Sequence, residues 1–424
     1  MIVDRIVIDM ATHGGAPTYR ASGFLYGLSP DASQPPPPMT DEIKVRQLRA
    51  GGSQLPAPDG GWVTGGYAAR WDLVKAYRAR AGRTGAHLEV LLSDLWGADG
   101  ADIPRYPGDD GDWSGYTAFL DQLVGDAKAD GITGEDIRWD VWNEADYDAF
   151  WRGRGQDQYL EMFRRGTLAI RAALPGAVIV GPSSACSPGD PWFAAYLDYV
   201  KANDVVPDVL SWHTLPGDPA AEAAEARALL AARDMSVSGF SVNEYGAAGD
   251  DQQPGPSAWY VARLERGGCD GSRANWGMVG RTPSLHDTLG ELTTAETGLP
   301  MGQWWVYKRY AEQSGVRAGL TPGAAEARDG VVFQDPAARR SIAVLGATPA
   351  AEAGQVAVRY DDVPPYLLSG GSTNIRVERL PATGSHVGAP VTVSDSRAEV
   401  GGGSVTVTID WADPLDAYAV TLTP

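Results

Sequence analysis

Two Asn-Glu pairs, Asn143-Glu144 and Asn243-Glu244, carry the most specific chemistry in this chain. Each closes a short apolar or aromatic run: Ile137-Arg138-Trp139-Asp140-Val141-Trp142 before the first, Phe240-Ser241-Val242 before the second. The glutamates are 100 residues apart, so only folding brings them to one cleft. Two carboxyls facing one cleft suit glycoside cleavage. One, protonated, donates to the leaving oxygen; the other, ionised, attacks the anomeric carbon. Retention of configuration needs about 5–5.5 Å between them, inversion roughly 6.5–9.5 Å. Proximity also divides the labour, because one carboxylate raises the pKa of its neighbour. The amide beside each acid offers a sugar hydroxyl both a donor and an acceptor. Three of the five asparagines, Asn143, Asn243 and Asn275, fall at expected strand ends.

Other residues gather near the same ends. His213 follows Trp212 and is placed to orient a carboxylate or bind a hydroxyl. Asp94 and Trp96 follow the third run and are expected to line a cleft. Trp276 is the expected platform beneath a sugar, since a flat aromatic face matches the apolar C–H face of a pyranose or furanose. Trp151 and Tyr245, with Trp62, Trp113 and Trp259, are candidate outer walls. The five histidines show no HExxH or other close spacing, and two cysteines, Cys186 and Cys269, make neither a disulfide scaffold nor a Cys-based zinc site. Asp109-Asp110-Gly111-Asp112 lacks the spacing and distal Glu of an EF-hand and reads as a solvated turn. No metal and no cofactor is expected.

These ends line one cleft only if the runs are strands of one sheet. Candidate strands are Phe24–Leu28, Val45–Arg49, Leu88–Leu92, Ile137–Trp142, Ala177–Val180, Val209–Trp212, Phe240–Val242 and, weakest, Ser272–Trp276. Helical patterns lie between several of them. Tyr116, Phe119, Leu120 and Leu123 share one face after Ser114, the expected cap. Leu160, Phe163, Ile170 and Leu174 do the same before Pro175; an alanine-rich stretch covers 220–234 and a last helix 304–313. Eight alternations predict an α/β chain folded as a (β/α)8 TIM barrel, whose chemistry sits at the C-terminal ends of the strands. A doubly wound open sheet is the rival, but its glycine-rich phosphate turn is missing. From about Val331 to Leu422 the pattern has period two, as in Val405, Val407 and Ile409, which predicts an antiparallel β-sandwich. The expected domains are a catalytic barrel over 16–315 and an accessory sandwich over 316–424, completed by the strand-like segment 1–15.

The balance of 35 basic against 54 acidic residues, a net −19, repels phosphate backbones and anionic lipid. Neither nucleic acid nor a membrane is an expected partner; an oligosaccharide or glycan is, and a homo-oligomer is compatible with the composition. No apolar run approaches the roughly 18 residues of a membrane span. The start, Asp4-Arg5-Ile6-Val7-Ile8, lacks a leader pattern, which leaves a cytoplasmic chain or a secreted mature form.

Trp139-Asp140-Val141-Trp142-Asn143-Glu144, followed by Phe150-Trp151, resembles the acid/base segment of clan A retaining glycoside hydrolases, most closely family 39, the β-xylosidase and α-L-iduronidase family. Ser241-Val242-Asn243-Glu244-Tyr245-Gly246 resembles the family's nucleophile segment. The resemblance implies that Glu144 is the general acid and then base, that Glu244 is the nucleophile, and that Asn143 contacts the hydroxyl beside the anomeric carbon. It also implies that Arg49, at the end of the second strand, lies under the nucleophile and keeps it ionised. The chain departs from the family at Ala145, where proline is usual, and at Asn243, where threonine is common. The expectation is a retaining glycoside hydrolase, exo-acting on a pentose-containing (xylose or arabinose) or related plant-type glycan. An endo-acting or transglycosylating enzyme of the same fold, and a non-catalytic carbohydrate-binding barrel, are the alternatives.

Overall fold

The first strand, β1 (Ile2–Asp9), buries Ile6 and Ile8 on one face and lies outside the barrel that follows. That barrel is parallel and closed, with eight strands in chain order: β2 (Gly23–Leu25), β3 (Gln47–Ala50), β4 (His87–Leu91), β5 (Ile137–Asp140), β6 (Val178–Ser184), β7 (Val209–Thr214), β8 (Gly239–Tyr245) and β9 (Cys269–Arg273). Pairing of β9 with β2 closes the ring. The computed structural model describes residues 2–29, 31–51, 61–93, 105–275, 288–295 and 297–424. Among these, no helix is long and apolar enough to cross a membrane.

The helices are α1 (Pro38–Asp41), α2 (Tyr67–Thr84), α3 (Ser114–Ala129), α4 (Gln156–Ala173), α5 (Pro191–Ala202), α6 (Pro219–Ala231), α7 (Pro254–Gly267) and α8 (Gly302–Ala311). Their apolar residues recur every three or four positions, so one stripe faces the sheet. In α4 the stripe is Tyr159, Leu160, Phe163 and Ile170; in α3 it is Tyr116, Phe119, Leu120, Leu123 and Ala127. They pack with the outward strand residues Val90, Trp139, Trp212 and Val242 in one continuous core. Each Leu or Phe so buried contributes about 1.5–3 kcal/mol. Ser114 is not the cap of α3. It is the first helical residue, and Asp112 Oδ1 accepts from its N–H at 2.9 Å and its hydroxyl at 2.6 Å.

Two further sheets follow α8. Their strands are β10 (Val316–Arg317), β11 (Gly319–Thr321), β12 (Arg328–Asp335), β13 (Arg340–Ala347), β14 (Gly354–Asp361), β15 (Ser372–Leu380), β16 (Val391–Glu399), β17 (Val405–Trp411) and β18 (Ala417–Thr423). One sheet has the order β11-β1-β14-β17, the other β10-β12-β13-β18-β15-β16. Between them lies a second core that includes Ile6, Ile8, Leu345, Val358, Tyr360, Trp411 and Val420. The fold is thus a (β/α)8 barrel with an additional β-sandwich. Its pairing is antiparallel except where β1 runs parallel to β14.

The eighth barrel strand lies three residues earlier than the Ser272–Trp276 run suggested. Gly271 and Arg273, not the apolar end of that run, fill the register: Phe24 pairs with Arg273, and Val242 with Gly271. The Arg273 guanidinium is satisfied by Gly290 O, Ser257 Oγ and Gln252 O, so a charged residue ends the strand inside the protein.

Barrel and sandwich share their packing through α7, which lies against both β12 and β13. A Cβ at Gly346 of β13 would sit 2.2 Å from Trp259 N and 2.3 Å from Gly255 O of α7. Only a bare backbone allows helix and strand this close. Gly346→Ala is expected to lower the unfolding free energy by about 1–3 kcal/mol, measured by denaturant titration. A midpoint unchanged from the parent would contradict this tight contact.

Candidate active site

The barrel interior is polar where such barrels usually stack Val, Ile and Leu. Gln47, Arg49, Glu89, Asp140, Ser183, Ser211, Ser241, Asn243 and Ser272 are all buried. Their strands fold because the alternate, outward residues are apolar. The inward residues then satisfy one another in the ring.

Arg49 is the centre of this ring, at zero exposure. Its Nη1 donates to Glu244 Oε1 at 2.7 Å, and its Nη2 donates to Asp140 Oδ2 at 2.6 Å and to Asn143 Oδ1 at 2.9 Å. Its Nε lies 2.9 Å from Glu89 Oε1. Burial works against the guanidinium's charge, but Asp140, Glu244 and Glu89 more than offset it, and the group stays cationic. The resemblance put Arg49 under the nucleophile, and here it lies buried against Glu244, acting on a sugar only through that carboxylate.

Glu244 owes its aim to a register shift. Trp212 of β7 pairs with Val242, and the next residue, His213, pairs with Glu244. Asn243 is the extra residue of a bulge, a device that re-aims side chains at barrel rims. Asn243 and Glu244 therefore both face inward. Asn243 Nδ2 lies 2.8 Å from Glu89 Oε1, 3.1 Å from Asp140 Oδ2 and 2.8 Å from Ser183 Oγ. Fully buried, Asn243 is a ring member and not the hydroxyl ligand its type suggested.

Glu144 stands at φ +45°, in the left-handed region that non-glycine residues rarely occupy. Such a conformation costs on the order of 1–3 kcal/mol and persists only where neighbours hold it. Here the Glu144 N–H donates to Ser183 O at 2.9 Å, and Ser183 is itself left-handed at φ +52°. This turn points the Glu144 carboxyl at His213, whose Nδ1 is 2.7 Å from Glu144 Oε1 and 3.8 Å from Glu244 Oε2. One ligand atom each of Glu144, His213 and Glu244 lies within 4.8 Å of the others. The two carboxyl side chains are 10% and 13% exposed, so each keeps a narrow opening to solvent.

The electrostatics differ between the members. Burial opposes the charge on His213, yet Glu244 and the hydrogen bond to Glu144 prevail and raise its pKa. Burial also raises the Glu244 carboxyl, with Glu144 adding to the rise and His213 and Arg49 pulling it back. Inside the ring, burial and the neighbouring Asp140 push Glu89 up to about 7, against the pull of Arg49.

The remaining expected site residues divide. Asn143 is at the site, its Oδ1 taken by Arg49. Arg carries only donors, so the facing atom is oxygen and the NH2 is left for other partners. Asn275 is buried two residues past the end of β9. Tyr245 is not a wall. It lies one residue past the bulge pair, faces outward, and shares its hydroxyl with Ala21 O at 2.8 Å and Tyr307 at 2.6 Å. Trp151 is buried edge-on against Trp142 and Tyr106 and donates to Gly155 O at 3.2 Å, so it supports the loop after Glu144 from beneath. Trp62 is buried against Tyr67 and Phe119, and Trp259 reaches Glu326 O beside the sandwich. Trp113 packs under Arg165. Asp94, Trp96 and Trp276 lie outside the described residues. Sequence reasoning missed Glu89, Asp140 and Ser183. The signal was there in Leu88-Glu89-Val90 and Arg138-Trp139-Asp140, charges alternating with apolar residues on strands.

Glu144, His213 and Glu244 also make a donor set of the kind that holds a divalent ion. Two features oppose a cation: the Arg49 charge 2.7 Å from Glu244, and the Glu144 hydrogen bond that occupies His213 Nδ1. Dialysis against a chelator is expected to leave both the metal content, by elemental analysis, and the thermal midpoint unchanged. Loss of a stoichiometric ion with a falling midpoint would contradict this.

A sequence model described as "Glycosyl hydrolases family 39" matches residues 133–235, a stretch that holds Glu144 and His213 and ends before Glu244. A curated relative, the 3-O-beta-L-arabinopyranosyl-alpha-L-arabinofuranosidase of Bifidobacterium pseudocatenulatum, is 22% identical over 98% of this chain. The chain spans about half of that relative, 47% of its length. A solved protein of Neocallimastix frontalis superposes with TM-score 0.81 at 22% identity, covering 100% of both chains. A monomeric beta-xylosidase from Caulobacter crescentus CB15 superposes with TM-score 0.64 at 16% identity, covering 99% of each. The chain is similar to family 39 in sequence over residues 133–235, and it shares the fold of these solved proteins over its whole length.

Proposed function

We propose that this family 39-like chain is a retaining O-glycoside hydrolase that removes a pentose unit from the end of a plant-type glycan. The observation that carries the reading is the carboxyl pair. Oxygens of Glu144 and Glu244 lie within 4.8 Å, one carboxyl on His213 and the other on Arg49. One oxygen of each carboxyl at this range supports covalent double displacement, which needs roughly 5 Å, over inversion, which needs roughly 6.5–9.5 Å.

In this mechanism Glu144 gives its proton to the leaving oxygen while Glu244 attacks the anomeric carbon, forming an ester and breaking the glycosidic bond. Glu144, now ionised, takes a proton from water. The hydroxide displaces Glu244 and frees the sugar. Arg49 stabilises the Glu244 carboxylate both before attack and as it departs. His213 stands between the acids and holds the proton with Glu144 while Glu244 is charged. Once the ester forms, that charge is gone and Glu144 is left as base. The Asn143 NH2, the end not used by Arg49, donates to the hydroxyl beside the reacting carbon, a contact that strengthens in the transition state.

The pentose rests on the sugars named for the arabinofuranosidase and the xylosidase above. Exo action rests on the small exposure of both carboxyls. On a panel of aryl glycosides, an arabinofuranoside or xyloside is expected to be cleaved at least tenfold faster than glucosides, galactosides or uronides. Preference for a hexoside, or internal cutting of a polymer, would overturn the substrate assignment.

Glu244→Ala is expected to lower kcat by roughly 10⁴-fold or more. Glu144→Ala is expected to accumulate the glycosyl-enzyme, with azide restoring turnover as a glycosyl azide of retained configuration. A Glu244→Ala variant with most of its activity would sink the nucleophile assignment.

The pH profile follows from the two raised groups. Activity requires Glu244 ionised, so it falls as pH drops through a pKa above the ordinary glutamate value of about 4.3. It also requires the proton that His213 holds, so it falls again at a pH above about 6.5. A kcat/KM profile whose acid limb lies below about 4.3 would contradict this electrostatic account.

A further inference from the structure

Glu89 is a buried acid that the mechanism above leaves without a task. It sits in the barrel one layer below the carboxyl pair. From β3 it faces Arg49 and the neutral Gln47; from β5, Asp140 and Arg138; from β8, Asn243. Its Oε1 is 2.9 Å from Arg49 Nε, but the single Nε hydrogen is directed at Asp140 Oδ2 at 3.0 Å. Glu89 therefore has the guanidinium's charge beside it without its hydrogen. Asp140 is better supplied, with two Arg49 nitrogens and the Ser183 hydroxyl at 2.8 Å. Arg49 faces three carboxylates, Glu89, Asp140 and Glu244, while Arg138 is committed to Asp270 at 2.9 Å and to Gln47, so a proton on one acid lowers the excess of negative charge in a dry ring.

We propose that Glu89 is a positioning residue that carries a proton in the working enzyme, which reserves the Arg49 charge for Glu244. When Glu89 ionises it draws on Arg49, and the negative charge that returns to Glu244 as the ester breaks is less well stabilised. The second half of the reaction then slows. The alkaline loss of activity thus has a component from Glu89, separate from that of the Glu144–His213 pair. This inference rests on Glu244 being the nucleophile.

The test uses the whole chain and the isosteric Glu89→Gln variant, with thermal unfolding as the check that it folds. In the parent, infrared difference spectra between pH about 6 and about 8.5 are expected to contain a protonated-carboxyl C=O band that disappears at the higher pH. Glu89→Gln is expected to lose the Glu89 part of that band and to keep the part that belongs to the general acid, Glu144. Its kcat profile is expected to keep the acid limb and to move the alkaline limb up by about half a unit, so that kcat at the alkaline end rises about threefold. A parent without the band overturns the proposal and needs no variant. So does a band of the same amplitude in parent and Glu89→Gln, or an acid limb that falls by about one unit in that variant, which would make Glu89 an anion in the working enzyme. A reduced band with an unmoved alkaline limb overturns the positioning role. If the parent cleaves no glycoside, the enzymatic reading fails, while the infrared band still reports on Glu89.

Discussion

A guanidinium with no exposed surface, Arg49, sets the terms for the rest of the site. A buried cation stripped of partners is worth several kcal/mol of destabilisation, so the fold must surround it with anions and acceptors. Asp140, Glu89, Glu244 and Asn143 do so from three neighbouring or facing strands. The polar barrel interior is the consequence. So is the bulge at Asn243, which lets two successive residues of β8 face the ring. Without that extra residue, Glu244 would point outward to where Tyr245 now packs against Tyr307.

The same arrangement separates two chemically identical side chains. Glu244 rests on a permanent cation; Glu144 rests on His213, a group that can give up its proton. A left-handed residue at Glu144, propped by a second one at Ser183, sets the distance between them. Both features store strain at the site, and it is met by packing elsewhere. One such place is the backbone-to-backbone contact of α7 with β13, which ties the β8–β9 side of the barrel to the sandwich.

Much of this was legible in the sequence. Seven barrel strands lie where short apolar runs put them, because outward residues such as Val90, Trp139 and Trp212 carry the burial signal. The Asn-Glu pairs marked the strand ends because a carboxyl after an apolar run has no structural reason to be there. Three things were not legible. The bulge is a matter of register between strands, so residue type and a place at the strand end sent Asn243 to a sugar hydroxyl and Tyr245 to the wall of the cleft. The eighth strand was misplaced because Arg273 ends it, and a satisfied buried arginine looks like a loop residue. Glu89 and Asp140 were passed over because a charge inside a strand reads as its solvent face. In a closed barrel that face is the interior. Trp151 misled in the opposite way: its type fits the outer wall of a sugar cleft, but its neighbours Trp142 and Tyr106 enclose it.

The central claim is that Glu244, held on Arg49, forms a covalent bond to the sugar. A 2-fluoro glycoside of the preferred pentose slows the breakdown of such an ester, and peptide mass spectrometry then locates the label. The account predicts one sugar per chain, on the peptide containing Glu244. A label on any other residue would contradict it, as would product released with inverted configuration.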